Sequence, residues 1–126
     1  MIRLVLVDDQ PVVRRSLRRC LLLEPDITVV GEASNGREAL TVVQHLAPDV
    51  VVMDIAMPEM DGISAVAEMR ASTPQSAVVM LSISDDVSMR DRAHAAGAVA
   101  FVHKSGAIEE LLATIRQAAK IAHGNA

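Results

Sequence analysis

Five polar or charged residues each stand at the end of a short apolar run, and together they could bind a phosphoryl group. Asp8 and Asp9 follow the first run, Asp54 the third, Ser82 ends the fourth, and Lys104 follows the fifth. A lysine supplies a positive point charge suited to phosphate, and a serine hydroxyl can donate a hydrogen bond to a phosphoryl oxygen. The combination indicates phosphoryl transfer with an aspartate as nucleophile.

The three carboxylates also indicate a cation, provided that the segments carrying them are neighbours. Crowded carboxylates repel one another unless a cation or a proton neutralises them. The chain has one cysteine, and its four histidines are scattered along the sequence. A hard cation with oxygen ligands is therefore expected, and Mg²⁺ fits because it accepts one or two carboxylates and keeps waters that phosphate can replace. We predict a Mg²⁺ site at Asp8, Asp9 and Asp54.

Each of these residues has a simpler explanation when it is considered alone. Asp9 could cap a helix, Asp54 could be an ordinary loop carboxylate, and Lys104 could be a solvated surface lysine. The functional interpretation depends on their joint occurrence, because each of them stands at the end of a predicted strand.

The elements that must position these residues are predicted by two alternating periodicities. The apolar runs predicted as strands are residues 2–7, 27–33, 49–53, 77–82 and 98–102. The segments between them show helical spacing of apolar residues. Strands alternating with helices indicate an α/β domain with a parallel sheet covered on both faces, and such sheets bind ligands at the carboxyl ends of their strands.

Helix boundaries are predicted from proline and from residues that cap helices. Pro11 stands near the start of the first helix, and Ser34 and Ser105 are predicted N-caps. We expect one domain over residues 1–126, with residues 123–126 as the start of a linker.

Composition limits the classes of function. Aromatic residues make up 1% of the chain and the formal net charge is −4, which argues against stacking platforms and phosphate-backbone tracks for nucleic acids. No run of about 18 apolar residues and no signal-peptide pattern is present. We expect a cytoplasmic protein.

Several strings resemble one family along essentially the whole chain, the response-regulator receiver domains of two-component signal transduction. These strings are LVLVDDQP, DVVVMDIAMPEMDG, MLSIS and FVHKS. The opening and closing segments resemble the receivers of transcriptional regulators with a C-terminal helix-turn-helix domain. The resemblance implies a doubly wound (βα)₅, flavodoxin-like sheet of five parallel strands in the order 2-1-3-4-5.

The resemblance also implies a role for each site residue. Asp54 would be the phosphoacceptor, and Lys104 would pair with the phosphoryl oxygens. Ser82 would move toward the phosphoryl group, and the ring of Phe101 would move with it. Asp9 would bind Mg²⁺ directly, Asp8 usually through water, and the backbone carbonyl of Ala56 would be a further ligand, in a loop shaped by Pro58 and Gly62.

Two positions depart from the family pattern. Many receivers have proline after the lysine, in a cis peptide, where this chain has Ser105. The family geometry favours a cis bond between Lys104 and Ser105 even here, although a cis bond without proline costs roughly 2.5–4 kcal/mol. The small Ala56 stands where bulkier or polar residues are frequent, which leaves the lifetime of the phosphoryl group open.

The predicted function is a signalling switch phosphorylated on Asp54 by a sensor histidine kinase, and not a conventional enzyme. We expect that phosphorylation could favour a homodimer, and that DNA is bound only through a domain absent from this chain. The alternative is a stand-alone receiver that acts through protein contacts. Four arginines of the first helix (Arg14, Arg15, Arg18 and Arg19) form either a solvated face or a surface for kinase docking.

Two other classes of function fit the sequence poorly. An aspartyl phosphatase of the haloacid-dehalogenase type needs a second aspartate two residues after the nucleophile, where this chain has Ala56. A nucleotide- or flavin-binding module would need a glycine-rich loop after the first strand, and the sequence DDQPVV has no glycine.

Overall fold

Five strands alternate with five helices in the computed structural model, which describes residues 1–56, 62–83 and 86–124, without the side chains of residues 123 and 124. The strands are β1 (Ile2–Val7), β2 (Ile27–Ala33), β3 (Val50–Asp54), β4 (Ala77–Ser82) and β5 (Ala100–His103). The helices are α1 (Pro11–Leu22), α2 (Gly36–Leu46), α3 (Gly62–Ser72), α4 (Val87–Ala96) and α5 (Ile108–Gly124).

The strands form one parallel sheet in the order β2-β1-β3-β4-β5, which confirms the predicted topology. In the register of the sheet, Val7 of β1 lies opposite Met53 of β3, and Asp54 lies opposite Leu81 of β4. The carboxyl ends of β1, β3 and β4 therefore meet at one edge, as the predicted site requires.

Side chains of the strands alternate between two apolar layers. In β3, Val51 and Met53 pack with α2, α3 and α4, whereas Val50 and Val52 pack with α1 and α5. Every residue of β3 is buried. Since burying a valine or leucine side chain contributes roughly 1.5–3 kcal/mol, β3 is a firm support for the aspartate at its end.

Two of the predicted helix caps are wrong. The N-cap of α2 is Asn35, whose side chain accepts a hydrogen bond of 2.8 Å from the backbone N–H of Glu38. Ser34 instead donates its hydroxyl to the Glu38 carboxylate at 3.0 Å. Asparagine caps a helix as well as serine does, so the pattern alone did not choose between two adjacent residues. α5 begins at Ile108, three residues beyond Ser105, the other predicted cap.

The start of α1 and the end of α5 can be compared with the helix start and the linker predicted from the sequence. Pro11 is the first residue of α1, where its fixed φ suits the helix and its missing N–H costs nothing. α5 continues to Gly124, so the predicted linker at residues 123–126 overlaps the end of this helix. Residues 125 and 126 lie outside the described residues, and a linker there stays a prediction. None of the described helices combines the length and the apolar character that a membrane span requires.

Candidate functional site

Three carboxylates meet where β1 and β3 end. Asp8, Asp9 and Asp54 each offer one oxygen atom, and these atoms all lie within 4.8 Å of one another. Asp8 and Asp54 are buried, with 1% and 5% of their surface exposed, and Asp9 is half-buried. The structure therefore brings together the three acidic residues that the sequence predicted as a cluster.

Lys104 joins two of these carboxylates. Its Nζ lies 3.0 Å from Oδ2 of Asp8 and 3.1 Å from Oδ2 of Asp54. Its side chain is 17% exposed, so water screens these pairs only partly. The site thus holds three carboxylates and one ammonium group, so a further positive charge would offset the negative charge that remains.

The two remaining oxygens of the buried carboxylates accept hydrogen bonds from the backbone. Oδ1 of Asp54 accepts from the N–H of Ala56 at 3.2 Å, and Oδ1 of Asp8 accepts from the N–H of Gln10 at 2.9 Å. Each carboxylate is thus held by a backbone donor on one oxygen and by Lys104 on the other. This arrangement fixes the orientation of both groups.

Burial and pairing act in opposite directions on the pKa values of the site. Burial raises the pKa of Asp54, and the hydrogen bonds from Lys104 and from the N–H of Ala56 only partly offset this. Burial would lower the pKa of Lys104, but its hydrogen bonds to Asp8 and Asp54 outweigh burial and raise that pKa. Lys104 therefore stays an ammonium group, and the negative charge on Asp54 is costly unless a cation is near.

The backbone that presents Lys104 differs from the prediction. Among the described residues no peptide bond is cis, so the predicted cis bond between Lys104 and Ser105 is wrong. The Lys104 N–H donates to the carbonyl of Ser82 at 2.7 Å, and the Ser105 N–H donates to Nδ1 of His103 at 3.1 Å. The side chain of Lys104 reaches Asp54 from a trans backbone, so the cost of a cis bond without proline is avoided.

Ser82 and Phe101, the predicted switch residues, lie on neighbouring strands. Ser82 is the last residue of β4 and is buried. Phe101 lies on β5 opposite Met80 and is half-buried. The guanidinium carbon of Arg90, on α4, is 5.3 Å from the centre of the Phe101 ring, a distance at which a cation–π contact stabilises the ring position. A concerted movement of Ser82 and Phe101 stays a prediction.

The loop after Asp54 is described only in part. Ala56 is exposed, and a role of its carbonyl as a metal ligand stays a prediction. Pro58 lies outside the described residues. Gly62 starts α3, and a Cβ atom on it would lie 2.6 Å from the carbonyl oxygen of Asp54. Only glycine permits so close an approach of α3 to the end of β3.

Sequence reasoning missed the role of one arginine at this site. Nη1 of Arg14, on α1, donates to the backbone carbonyl of Asp8 at 2.6 Å. Arg14 and Arg18 also pair with Glu32 of β2, at 3.2 and 3.1 Å. The four arginines of α1 are thus divided, because these two pair with a carboxylate on the sheet. The sequence offers no signal that separates Arg14 from its neighbour Arg15, which is exposed.

The set of donors fits a hard divalent cation. Asp8, Asp9 and Asp54 supply carboxylate oxygens close together, and no histidine or cysteine joins them among the described residues. Oxygen ligands of this kind suit Mg²⁺, Ca²⁺ or Mn²⁺ and not the softer transition metals.

Comparison with known proteins gives one consistent family. The sequence pattern of the response regulator receiver domain matches residues 4–116. The nitrate/nitrite response regulator protein NarL of Escherichia coli strain K12 is 34% identical over 116 residues, which are 92% of this chain and 54% of that protein. A protein-glutamate methylesterase/protein-glutamine glutaminase of Methanospirillum hungatei is 41% identical over 106 residues, which are 82% of this chain and 30% of that protein.

The same family includes a solved structure with a closely similar fold. A two-component response regulator of the LuxR family from Aurantimonas sp. SI85-9A1 superimposes with a TM-score of 0.91 at 32% identity, covering 98% of this chain and 86% of that one. The chain spans about half of NarL and less than a third of the methylesterase.

Proposed function

This chain belongs to the response regulator receiver domain family, and from that membership we propose that it is a signalling switch phosphorylated on Asp54. The donor is the phosphohistidine of a sensor histidine kinase. The observation that carries the proposal is the setting of Asp54. Its carboxylate lies at the end of a fully buried strand, beside two further carboxylates and within 3.1 Å of an ammonium group.

The chemistry is a transfer of the phosphoryl group from nitrogen to oxygen. A carboxylate oxygen of Asp54 forms the new bond to phosphorus while the bond between phosphorus and the histidine nitrogen breaks, and the imidazole leaves with that electron pair and takes up a proton. Lys104 can hold a phosphoryl oxygen because its ammonium already lies beside Asp54. The N–H of Ala56 orients the carboxylate for attack. Positioning and electrostatic stabilisation are what phosphoryl transfer chiefly requires of a protein.

A divalent cation would complete the site. Mg²⁺ held by Asp8, Asp9 and Asp54, with the carbonyl of Ala56, would supply the positive charge that offsets the phosphoryl oxygens. Without such a charge, a phosphoryl group would meet the carboxylates of Asp8 and Asp9 at close range, which is electrostatically unfavourable.

The output of the switch is proposed to lie in another domain. Phosphorylation would draw the hydroxyl of Ser82 toward the phosphoryl oxygens and let Phe101 move, which changes the surface of α4, β5 and α5 and could favour a homodimer. The similarity to NarL supports the regulation of transcription through a DNA-binding domain outside this chain. A stand-alone receiver that acts through protein contacts is the alternative.

Intact-mass measurement after incubation with acetyl phosphate and Mg²⁺ tests this function. We expect a phosphoryl adduct on the unaltered chain and on Asp91→Ala, which removes an exposed aspartate of α4. We expect no adduct on Asp54→Ala. An adduct that persists in Asp54→Ala, or no adduct on the unaltered chain, would refute the assignment.

A further inference from the structure

Arg14 contacts the backbone of the acidic cluster, whereas Lys104 contacts its carboxylates. Its Nη1 donates to the carbonyl oxygen of Asp8 at 2.6 Å, while its Nε donates to the carboxylate of Glu32 at 3.2 Å. The side chain of Arg14 is 21% exposed. A charge-assisted hydrogen bond this short is about twice as strong as one between neutral groups.

The carbonyl of Asp8 belongs to the peptide unit that joins Asp8 to Asp9. This unit is planar and rigid, so its orientation is shared by both residues through ψ of Asp8 and φ of Asp9. The N–H of Asp8 is already fixed, because it donates to the carbonyl of Ala33 on β2 at 3.1 Å. Holding the carbonyl as well restricts rotation of the Asp8–Asp9 peptide, and this restrains the directions in which the side chains of Asp8 and Asp9 leave the backbone.

Glu32 keeps the guanidinium of Arg14 in place. Its two carboxylate oxygens accept from Arg14 and Arg18 at 3.2 and 3.1 Å. Glu32 lies on β2 opposite Leu6 of β1, so it is anchored to the same edge of the sheet as the acidic cluster. The planar fork of arginine can donate to Glu32 and to the Asp8 carbonyl at once, which the single ammonium of a lysine does less well.

We propose that Arg14 is a positioning residue of the cation site: through the Asp8 carbonyl it sets the geometry in which Asp8 and Asp9 bind a divalent cation. This inference rests on the proposed function for the identity of the site. It assigns to one arginine of α1 a task distinct from that of its three neighbours.

Arg14→Gln and Arg18→Gln form a matched pair of variants for the test. Both remove one positive charge from α1 and one partner from Glu32, but only Arg14 contacts Asp8. Binding of Mg²⁺ is measured by titration of the amide resonances in NMR spectra, and thermal unfolding in the presence of a chelator reports stability. The amide resonances of Asp9 and Gln10 are also compared between variants before Mg²⁺ is added.

We expect Arg14→Gln to weaken Mg²⁺ binding about 10-fold, the lower end of the effect of removing a partner that orients metal ligands. Arg18→Gln should bind Mg²⁺ as the unaltered chain does, although both variants lose similar stability. Arg14→Lys should recover part of the affinity, because its ammonium can still donate to the Asp8 carbonyl but holds Glu32 less well at the same time. In the chelated protein, only Arg14→Gln should displace the resonances of Asp9 and Gln10.

Two results would overturn the inference. Equal Mg²⁺ affinity in Arg14→Gln and Arg18→Gln, with a normal affinity in the unaltered chain, would refute the role of Arg14 and leave the proposed function intact. Absence of Mg²⁺ binding in the unaltered chain would refute the cation site itself and the positioning role with it.

Discussion

Lys104 is the residue on which the charge balance of the acidic cluster depends. It is the only described side chain with a positive charge in an ion pair with Asp8 or Asp54. Buried carboxylates that lose their partner keep the cost of desolvation without the compensating attraction. The ammonium of Lys104 balances only part of the negative charge of the three carboxylates, so a bound cation would stabilise the cluster further.

Lys104→Met should destabilise the chain most when no divalent cation is available. We expect a loss of about 1–3 kcal/mol in the free energy of unfolding, the usual cost of leaving a buried polar group unpaired. The loss should shrink with excess Mg²⁺, because the cation neutralises the same carboxylates and therefore stabilises the folded Lys104→Met variant more than the unaltered chain. Urea unfolding in a chelator and in Mg²⁺ measures both values.

The control for this prediction is Lys120→Met, which removes the same charge from an exposed position of α5. Its stability should hardly change in either condition, as for most surface substitutions. If Lys104→Met were no less stable than Lys120→Met in chelator, the ammonium would not be offsetting the buried carboxylates.

At the residue scale, the sequence predicted the side chains proposed to take part in phosphoryl transfer, but it did not predict the side chain that contacts the backbone of the acidic cluster. Asp54 and Lys104 stand at strand ends, and the topology alone brings strand ends together. The contact of Arg14 with the Asp8 carbonyl depends instead on the orientation of α1 relative to the sheet. The pattern of charged residues along a helix does not indicate that orientation. The predicted cis bond before Ser105 is wrong because the cis geometry of the family goes with proline at this position, and without proline the cis form costs roughly 2.5–4 kcal/mol.

At the scale of elements, α5 is tied to the loop between α1 and β2 by one arginine. Arg116 donates to both carboxylate oxygens of Asp26, at 2.9 and 3.0 Å, and to Glu24 at 2.6 Å. Bidentate pairing of arginine with a carboxylate has a fixed geometry. The pairing therefore joins the last helix to the loop directly before β2, which lies at the amino end of that strand and not at the carboxyl ends where the acidic cluster lies.

The pairing of Arg116 with Asp26 should make the stability of the folded chain depend on pH in the acidic range. The hydrogen bond from Arg116 lowers the pKa of Asp26 in the folded chain. A lowered pKa means that the stabilisation is present above the unfolded pKa, about 3.9 for aspartate, and is lost as the pH falls through the folded value. Arg116→Gln should therefore be less stable than the unaltered chain at pH 7, and the difference should shrink below about pH 4.

Midpoints of urea unfolding across this pH range check the prediction, with Asp26→Asn as the matched variant. Asp26→Asn should remove most of the same pH dependence while leaving Arg116 in place to pair with Glu24. A difference between Arg116→Gln and the unaltered chain that stays constant down to acidic pH would show that packing of the arginine, and not its charge, stabilises α5.

Elements were predicted well where the signal was long and poorly where it was a single residue. The strands at residues 2–7, 27–33 and 77–82 were predicted with the bounds observed. The run at 77–82 is buried throughout, which is typical of a strand covered on both faces, whereas residues 27–33 form the edge strand β2 and are buried only at their two ends. The caps were harder to predict. Ser34 and Asn35 are equally good capping residues, and only the packing of α2 on the sheet decides which of them takes that position.

At the scale of the whole molecule, the net charge and the extent of the match to longer relatives bear on whether this chain itself could bind DNA. Its formal net charge is −4, and its curated relatives extend well beyond the region that it matches. The four arginines of α1 are the most basic surface that the sequence suggested. Two of them pair with Glu32, which reduces the positive charge available to an outside partner.

We expect this chain to have no measurable affinity for duplex DNA at physiological salt, whether or not Asp54 is phosphorylated. Each phosphate that a protein neutralises contributes about 0.9 to the slope of log affinity against log salt, and specific binding takes several such contacts. Arg15 and Arg19, exposed on α1, are too few for this, and the net negative charge repels the backbone. Fluorescence anisotropy with a labelled duplex, at low and at physiological salt, measures the affinity. A longer protein that joins this chain to a DNA-binding domain should bind its promoter more tightly after phosphorylation of Asp54, and Asp54→Ala should abolish that gain. Sequence-specific, salt-dependent binding by the 126-residue chain alone would contradict the placement of DNA recognition outside it.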